Sequence, residues 1–115
     1  MEKEGKTMTI TVYQMSKEAI EKTGAFPMFY GKDGLFDLDK NIEHYEKVAT
    51  LDVDTLDEAF EVGNIGPESK YTRFKPMHSI SVGDILVKED CTAYVVADFG
   101  FDEVMTDIHY SDCGV

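Results

Sequence analysis

A chain of 115 residues with 43% hydrophobic and 11% aromatic content suits one domain, burying roughly two-thirds of the surface its unfolded form exposes without a covalent staple. No window approaches the ~20 continuous apolar residues of a bilayer span, and Met1 to Lys6 lack the apolar run of a signal peptide, so the expected setting is the cytoplasm, with no membrane partner. The formal charge is −12, with ten acids against Lys40 and Lys47 in residues 33–61 and eight against Lys88 in residues 84–115; such a field repels nucleic acid and attracts basic partners.

In chain order, Thr7 to Gln14 alternates Met8, Ile10 and Val12 against Thr9, Thr11 and Tyr13, which predicts a half-buried strand. Ser16 reads as the N-cap of a short helix with Ala19 and Ile20 inward, closed by Thr23-Gly24. Ala25 to Gly31 is apolar and aromatic but interrupted by Pro27, which predicts an extended segment or edge strand. Its Phe26, Met28, Phe29 and Tyr30 are expected in the core, the alternative being a homodimer patch. Lys32-Asp33-Gly34 is a turn, and Leu35 to His44 holds one or two helical turns. Tyr45 to Val53 reads as a strand with Tyr45, Ala49, Leu51 and Val53 on one face and Glu46, Thr50 and Asp52 on the other. Thr55-Leu56-Asp57-Glu58 is a capping box, followed by a helix whose stripe is Leu56, Ala59, Phe60 and Gly63, ended by Gly66-Pro67. Glu68 to Met77 is expected to be a loop carrying the basic cluster.

The stretch His78 to Phe101 carries the clearest pattern. Ile85 to Lys88 and Cys91 to Asp98 suit two strands, joined by Lys88-Glu89-Asp90. Before them, Gly83 is suited to a positive φ, and Asp84 to folding its carboxylate back onto turn amides. Phe99 to Met105 adds a last short strand, and 106–115 reads as a weakly ordered tail. Cys91 and Cys113 give neither a disulfide framework nor a metal spacing, so both are expected reduced, Cys91 as a small buried apolar residue. The fold class expected is α+β: a small, mainly antiparallel sheet of about four to six short strands packed with one or two short helices, with a half-barrel as its curved variant.

The strand Ile10 to Gln14, the strand and helix Tyr45 to Phe60, and the block Ser79 to Val87 with Tyr94 and Gly100-Phe101 together resemble the YodL-like domains of bacteriophages, conjugative elements and large polyvalent proteins. Against that pattern, residues 16–44 read as an insertion. The resemblance implies a small α+β fold and a phage or mobile-element origin, with His78, Ser79, Ser81, Gly83 and Asp84 as family-motif positions. It implies no catalytic residues.

Several constellations invite a chemical reading, and each has a plainer one. Asp52-Val53-Asp54-Thr55-Leu56 after a strand mimics the Asp-x-Asp-x-Thr nucleophile loop of haloacid-dehalogenase-like phosphatases, but the chain is too short for the doubly wound sheet that presents it, and the capping box already accounts for Thr55 and Glu58. Asp37, Asp39 and Asn41 start like a calcium loop, yet Ile42 stands where its Gly belongs and Val48 where its Glu belongs. His78, Ser79, Ser81, Asp84 and Asp98 supply the residue types of a triad without any sign of its geometry. His44, His78, His109 and Cys113 follow no zinc spacing. Tyr71, Arg73, Phe74, Lys75 and His78 interleave basic and aromatic residues, but so few cations amid this acidity cannot neutralise a phosphate backbone. No motif calls for a cofactor or metal.

The function expected is therefore a small non-catalytic interaction protein that binds a host or element protein with a basic or apolar surface, through acids such as Asp37, Asp39, Glu43, Asp57, Glu58, Glu61, Asp102 and Glu103. The alternative is a DNA mimic that inhibits a DNA-binding defence protein of the restriction or CRISPR type, which needs acids spaced to match one charge per ~1.7 Å of duplex. A small enzyme is the third reading.

Overall fold

The computed structural model describes residues 8–32, 34–66, 71–73, 79–89 and 92–104. Its strands are β1 (Met8–Met15), β2 (Tyr45–Val53), β3 (Tyr71–Arg73), β4 (Ile85–Val87), β5 (Ala93–Val96) and β6 (Phe101–Val104). Helix α1 is Lys17–Thr23, α2 is the single turn Leu38–Asn41, and α3 is Leu56–Ile65. The strands form one open antiparallel sheet in the order β3-β2-β1-β4-β5-β6, so the fold is α+β with a six-stranded sheet.

Local chemistry places the helices where the sequence puts them. The Ser16 hydroxyl accepts from the Ala19 N–H at 3.0 Å, and Gly24 closes α1 at φ 72° with its N–H on the Ile20 carbonyl. Thr55 caps α3 by accepting from the Glu58 N–H at 3.0 Å, and the Glu58 carboxylate reaches back to the Asp54 N–H at 2.9 Å. That pair satisfies two N–H groups that the helix start would otherwise leave without partners.

Both faces of the sheet are covered, which alternation within β1 does not foretell. Ile10 and Val12 face a core with Leu51, Val53, Leu86 and Val96, closed by Ala59 and Val62 of α3. Tyr13 and Met15 face a second core with Tyr45, Ile85, Val87, Ala93 and Val95, closed by Ala19, Ile20, Phe36, Leu38 and Ile42. Residues 16–44 are thus one outer layer of a three-layer fold. Thr11, Tyr13 and Gln14 are buried accordingly, where a half-buried strand would show a wet side.

Four further elements depart from expectation. The β1–β2 register shifts between Val12 and Tyr13, which pair with Ala49 and Lys47 and leave Val48 as an extra residue. A bulge inverts the side-chain alternation, so Tyr45 enters the second core while Ala49, Leu51 and Val53 enter the first. Pro27–Phe29 is a 3-10 turn instead of an extended edge, since proline opens a helical turn at no cost in hydrogen bonds. Phe26, Met28 and Phe29 are exposed rather than in the core, because that turn lies over the sheet's end and turns Pro27 inward. Tyr71–Arg73 pairs with Ala49–Leu51 as an edge strand where a loop was expected. Phe60 is exposed too, with Val62 taking the place in the buried stripe that its spacing suggested. Cys91, Cys113, His109 and the segment 106–115 lie outside the described residues.

Candidate interaction surface

Two depressions flank Val82 at one end of the sheet, and the 79–84 segment that separates them is held from several sides. Ile80 is buried against α3 where Gly63 lacks a side chain, since a Cβ there would sit 2.5 Å from Ile80 Cγ1. Asn64 Nδ2 donates to the Ile80 carbonyl at 3.1 Å and to the Phe60 carbonyl at 2.7 Å, tying segment to helix. Beyond Ile80 the chain turns tightly. The Asp84 N–H donates to the Ser81 carbonyl at 3.0 Å, and the Ser81 N–H donates to Asp84 Oδ2 at 3.0 Å.

Asp84 is 1% exposed, and its Oδ2 also accepts from Gln14 Nε2 at 3.0 Å. Gly83 stands at φ 93°, its N–H on the Val96 carbonyl, its own carbonyl accepting from the Tyr45 hydroxyl, and its open side against Pro27. The carboxylate therefore serves the turn, as the Gly-Asp pair suggested. Burial raises the Tyr45 phenol pKa far above its ordinary value, and the charges of Asp84 and Tyr30 add to the effect. The Tyr30 phenol is raised as well, by burial and then by its hydrogen bond to and the charge of Asp102.

On one side of Val82 lies an open groove of about 240 Å³ between α3 and the β5–β6 turn, walled by Phe60, Val96 and Phe101 and edged by Asp57 and Asp98. The turn closes by the Ala97 N–H on the Gly100 carbonyl, with Gly100 at φ 78°. Phe99 at its tip is 95% exposed. The Lys32 ammonium pairs with Asp98 at 2.5 Å, strapping the outer layer of residues 16–44 to this turn. On the other side of Val82 is a smaller hole of about 80 Å³ walled by Ile20, Phe26, Pro27 and Met28, with Ser81 and Asp84 at its polar side.

The acids singled out from sequence do not gather on one surface. Asp37 caps α2, accepting from the Lys40 N–H at 3.3 Å, Asp39 falls within α2, and the Glu43 carboxylate lies 3.6 Å from His44; all three belong to the layer on the second core. Asp57, Glu58 and Glu61 belong to α3 on the opposite face of the sheet, where Glu58 is committed to the cap. Asp102 and Glu103 are on the edge strand β6, with Asp102 accepting from the Tyr30 hydroxyl at 3.0 Å. Among the family-motif positions, Ser81, Gly83 and Asp84 form the turn, Ser79 is exposed, and His78 lies outside the described residues. Sequence reasoning did not assign Val82, Asp98, Phe99 and Phe101 to an interaction surface; the signal was Phe99 beside Gly100 in a turn, where a large apolar side chain has no core to enter.

Among the described residues, no group of three or more His, Cys, Asp or Glu is placed to hold a metal ion, and no helix is long and apolar enough to cross a membrane. Comparison with protein-family models, curated proteins and solved structures finds no match.

Proposed function

We propose that this chain is a small acidic, non-catalytic interaction protein of phage or mobile-element origin, acting in the cytoplasm, and that it docks on a host or element protein through the groove beside Val82. The observation that carries the reading is a groove lined by the exposed Phe60 together with Phe101 and Val96, beside a turn that leaves Phe99 95% exposed. Aromatic side chains left on a surface around a concavity are a common mark of a recognition site. Asp57 and Asp98 at its edge, within a chain of net charge −12, favour a partner that is apolar at its centre and basic around it. The DNA-mimic alternative gains nothing from the layout, because the acids of residues 37–43 and 57–61 stand on opposite sides of the sheet.

The test is a tagged pull-down from nuclease-treated producing cells, washed in parallel at low and high salt. It compares the native chain with Phe60→Ser/Phe99→Ser and with Asp37→Asn/Glu43→Gln on the far layer. The docking reading expects one stoichiometric partner, retained at high salt, that is lost with the phenylalanine pair and kept with the far-layer pair. A partner that DNA displaces, that leaves at moderate salt and that depends on the far-layer acids would establish mimicry instead.

A further inference from the structure

The last strand of the sheet has one open side. β5 pairs with β6, and among the described residues nothing pairs with the outer edge of β6. The Val96 N–H donates to the Asp84 carbonyl and the Val96 carbonyl accepts from the Gly83 N–H, so the polar backbone of Val96 is turned away from β6. Phe101, which stands opposite Val96, therefore points its own N–H and carbonyl outward, and by alternation Glu103 does the same. The strand has no bulge, proline or lysine to blunt this edge. Its Asp102 and Glu103 are both exposed. Asp102 accepts from the Tyr30 hydroxyl, a neutral partner that leaves the carboxylate's charge uncompensated, and Glu103 has no hydrogen bond or ion pair among the described residues.

We infer that an extended segment of the docking partner adds to this edge as a further strand, antiparallel to β6, and that its sequence runs apolar-basic-basic-apolar. The inference rests on the docking reading above and names the partner's conformation and chemistry. Backbone hydrogen bonds at Phe101 and Glu103 supply the pairing, and side chains select the sequence. Phe101 packs on the first core and shares its face with Glu103, while Val104 packs on the second core and shares its face with Asp102. Basic residues opposite Glu103 and Asp102 make favourable cross-strand pairs, as does an apolar residue opposite Val104. The apolar residue opposite Phe101 falls on the α3 side, beside the groove that Phe101 walls. One segment can thus pair with the edge and reach the groove. A second copy of this chain is a poor occupant. In antiparallel pairing, outward-pointing residues face one another, so the registers that cover most of β6 set Asp102 against Asp102 or Glu103 against Glu103.

The experiment measures amide hydrogen exchange by NMR in the full chain, alone and with acetyl-Thr-Val-Lys-Lys-Leu-Thr-amide at millimolar concentration. In parallel, neutral acetyl-leucine-amide is followed at Val96 and Phe60 as a probe of the groove. Strand addition expects the Phe101 and Glu103 amides to exchange freely in the chain alone and about tenfold more slowly with the peptide. Asp102 and Val104, whose amides already face β5, should change little. The same peptide with glutamate for both lysines should bind about tenfold more weakly. Glu103→Lys, at an exposed position, should shrink that preference in a chain that still folds. Methylating the backbone nitrogen of the first lysine, the residue opposite Glu103, keeps the charges and should abolish the protection. No binding by the lysine peptide, binding without protection of Phe101 and Glu103, equal binding of the methylated peptide, or no preference for lysine over glutamate overturns the inference. So does protection of those two amides in the chain alone, which would mean that the edge is already covered. Failure of the leucine probe with strand addition intact would instead remove the docking groove and leave the edge site standing.

Discussion

Gly83→Ala should be among the most damaging single-methyl additions to this chain, and the reason is backbone rather than side-chain packing. The residue stands at φ 93°, and a Cβ there would lie 2.5 Å from the carbonyl carbon of Pro27. Carbon atoms pack best at about 3.5–4.0 Å, so the 3-10 turn would have to retreat by roughly an ångström. Positive φ costs a residue bearing a side chain about 1–2 kcal/mol, and forcing packed segments apart about 1–3 kcal/mol, giving roughly 2–5 kcal/mol together. Gly24→Ala is the control, because Gly24 has φ 72° but nothing within 4 Å of its missing Cβ. It should lose only the conformational part, about 1–2 kcal/mol. Urea unfolding of both variants beside the native chain measures the difference, with the slope unchanged and the midpoint displaced. The Ser81 amide should also move in Gly83→Ala, because the retreating turn carries one wall of the hole. If the two variants lose equal stability, the close approach of Gly83 to Pro27 does not matter energetically and the account of how this turn is held is wrong.

Two further expectations concern groups that the fold commits. Thr55→Ala removes the hydroxyl that accepts from the Glu58 N–H and should cost about 1 kcal/mol in the same unfolding assay, with helicity loss confined to α3. Tyr45 has its phenol pKa raised from 10.0 by burial, so the folded state holds that proton more tightly than the unfolded one. Its contribution to stability is complete below pH 10, the unfolded value, and declines as pH rises above it toward the higher folded value. Unfolding midpoints measured across alkaline pH should therefore fall more steeply in the native chain than in Tyr45→Phe, which should also lose about 1–3 kcal/mol at neutral pH for leaving the Gly83 carbonyl without its donor.

Elements whose cause is local were legible. Ser16 and Gly24 bracket α1, Thr55 and Glu58 start α3, and Gly83-Asp84 makes its turn because each acts on backbone within a few residues of itself. The strands β1, β2, β4, β5 and β6 were legible from apolar runs and alternation. Elements whose cause lies elsewhere in the chain were not. β3 exists because β2 offers it a free edge, and the sequence Tyr71-Thr72-Arg73 holds too few residues to show a period of its own. Phe60 reads as part of the buried stripe in isolation, and what decides its exposure is which side α3 turns to the sheet.

Composition determined that this chain is acidic, patterning along it pointed to an α+β fold, and short-range chemistry determined where its helices are capped and its turn at Gly83 is tied. Tertiary structure alone decided that residues 16–44 form a layer of the fold covering the sheet's second face. It also set the bulge at Val48 that sends Tyr45 to the second core, and brought the separate segments carrying Phe26, Phe60, Val82 and Phe101 to the walls of two adjoining depressions. The physical reason is that periodicity records which residues of a segment share a side but not what that side meets. Which apolar groups remain outside is settled only when all the layers have closed.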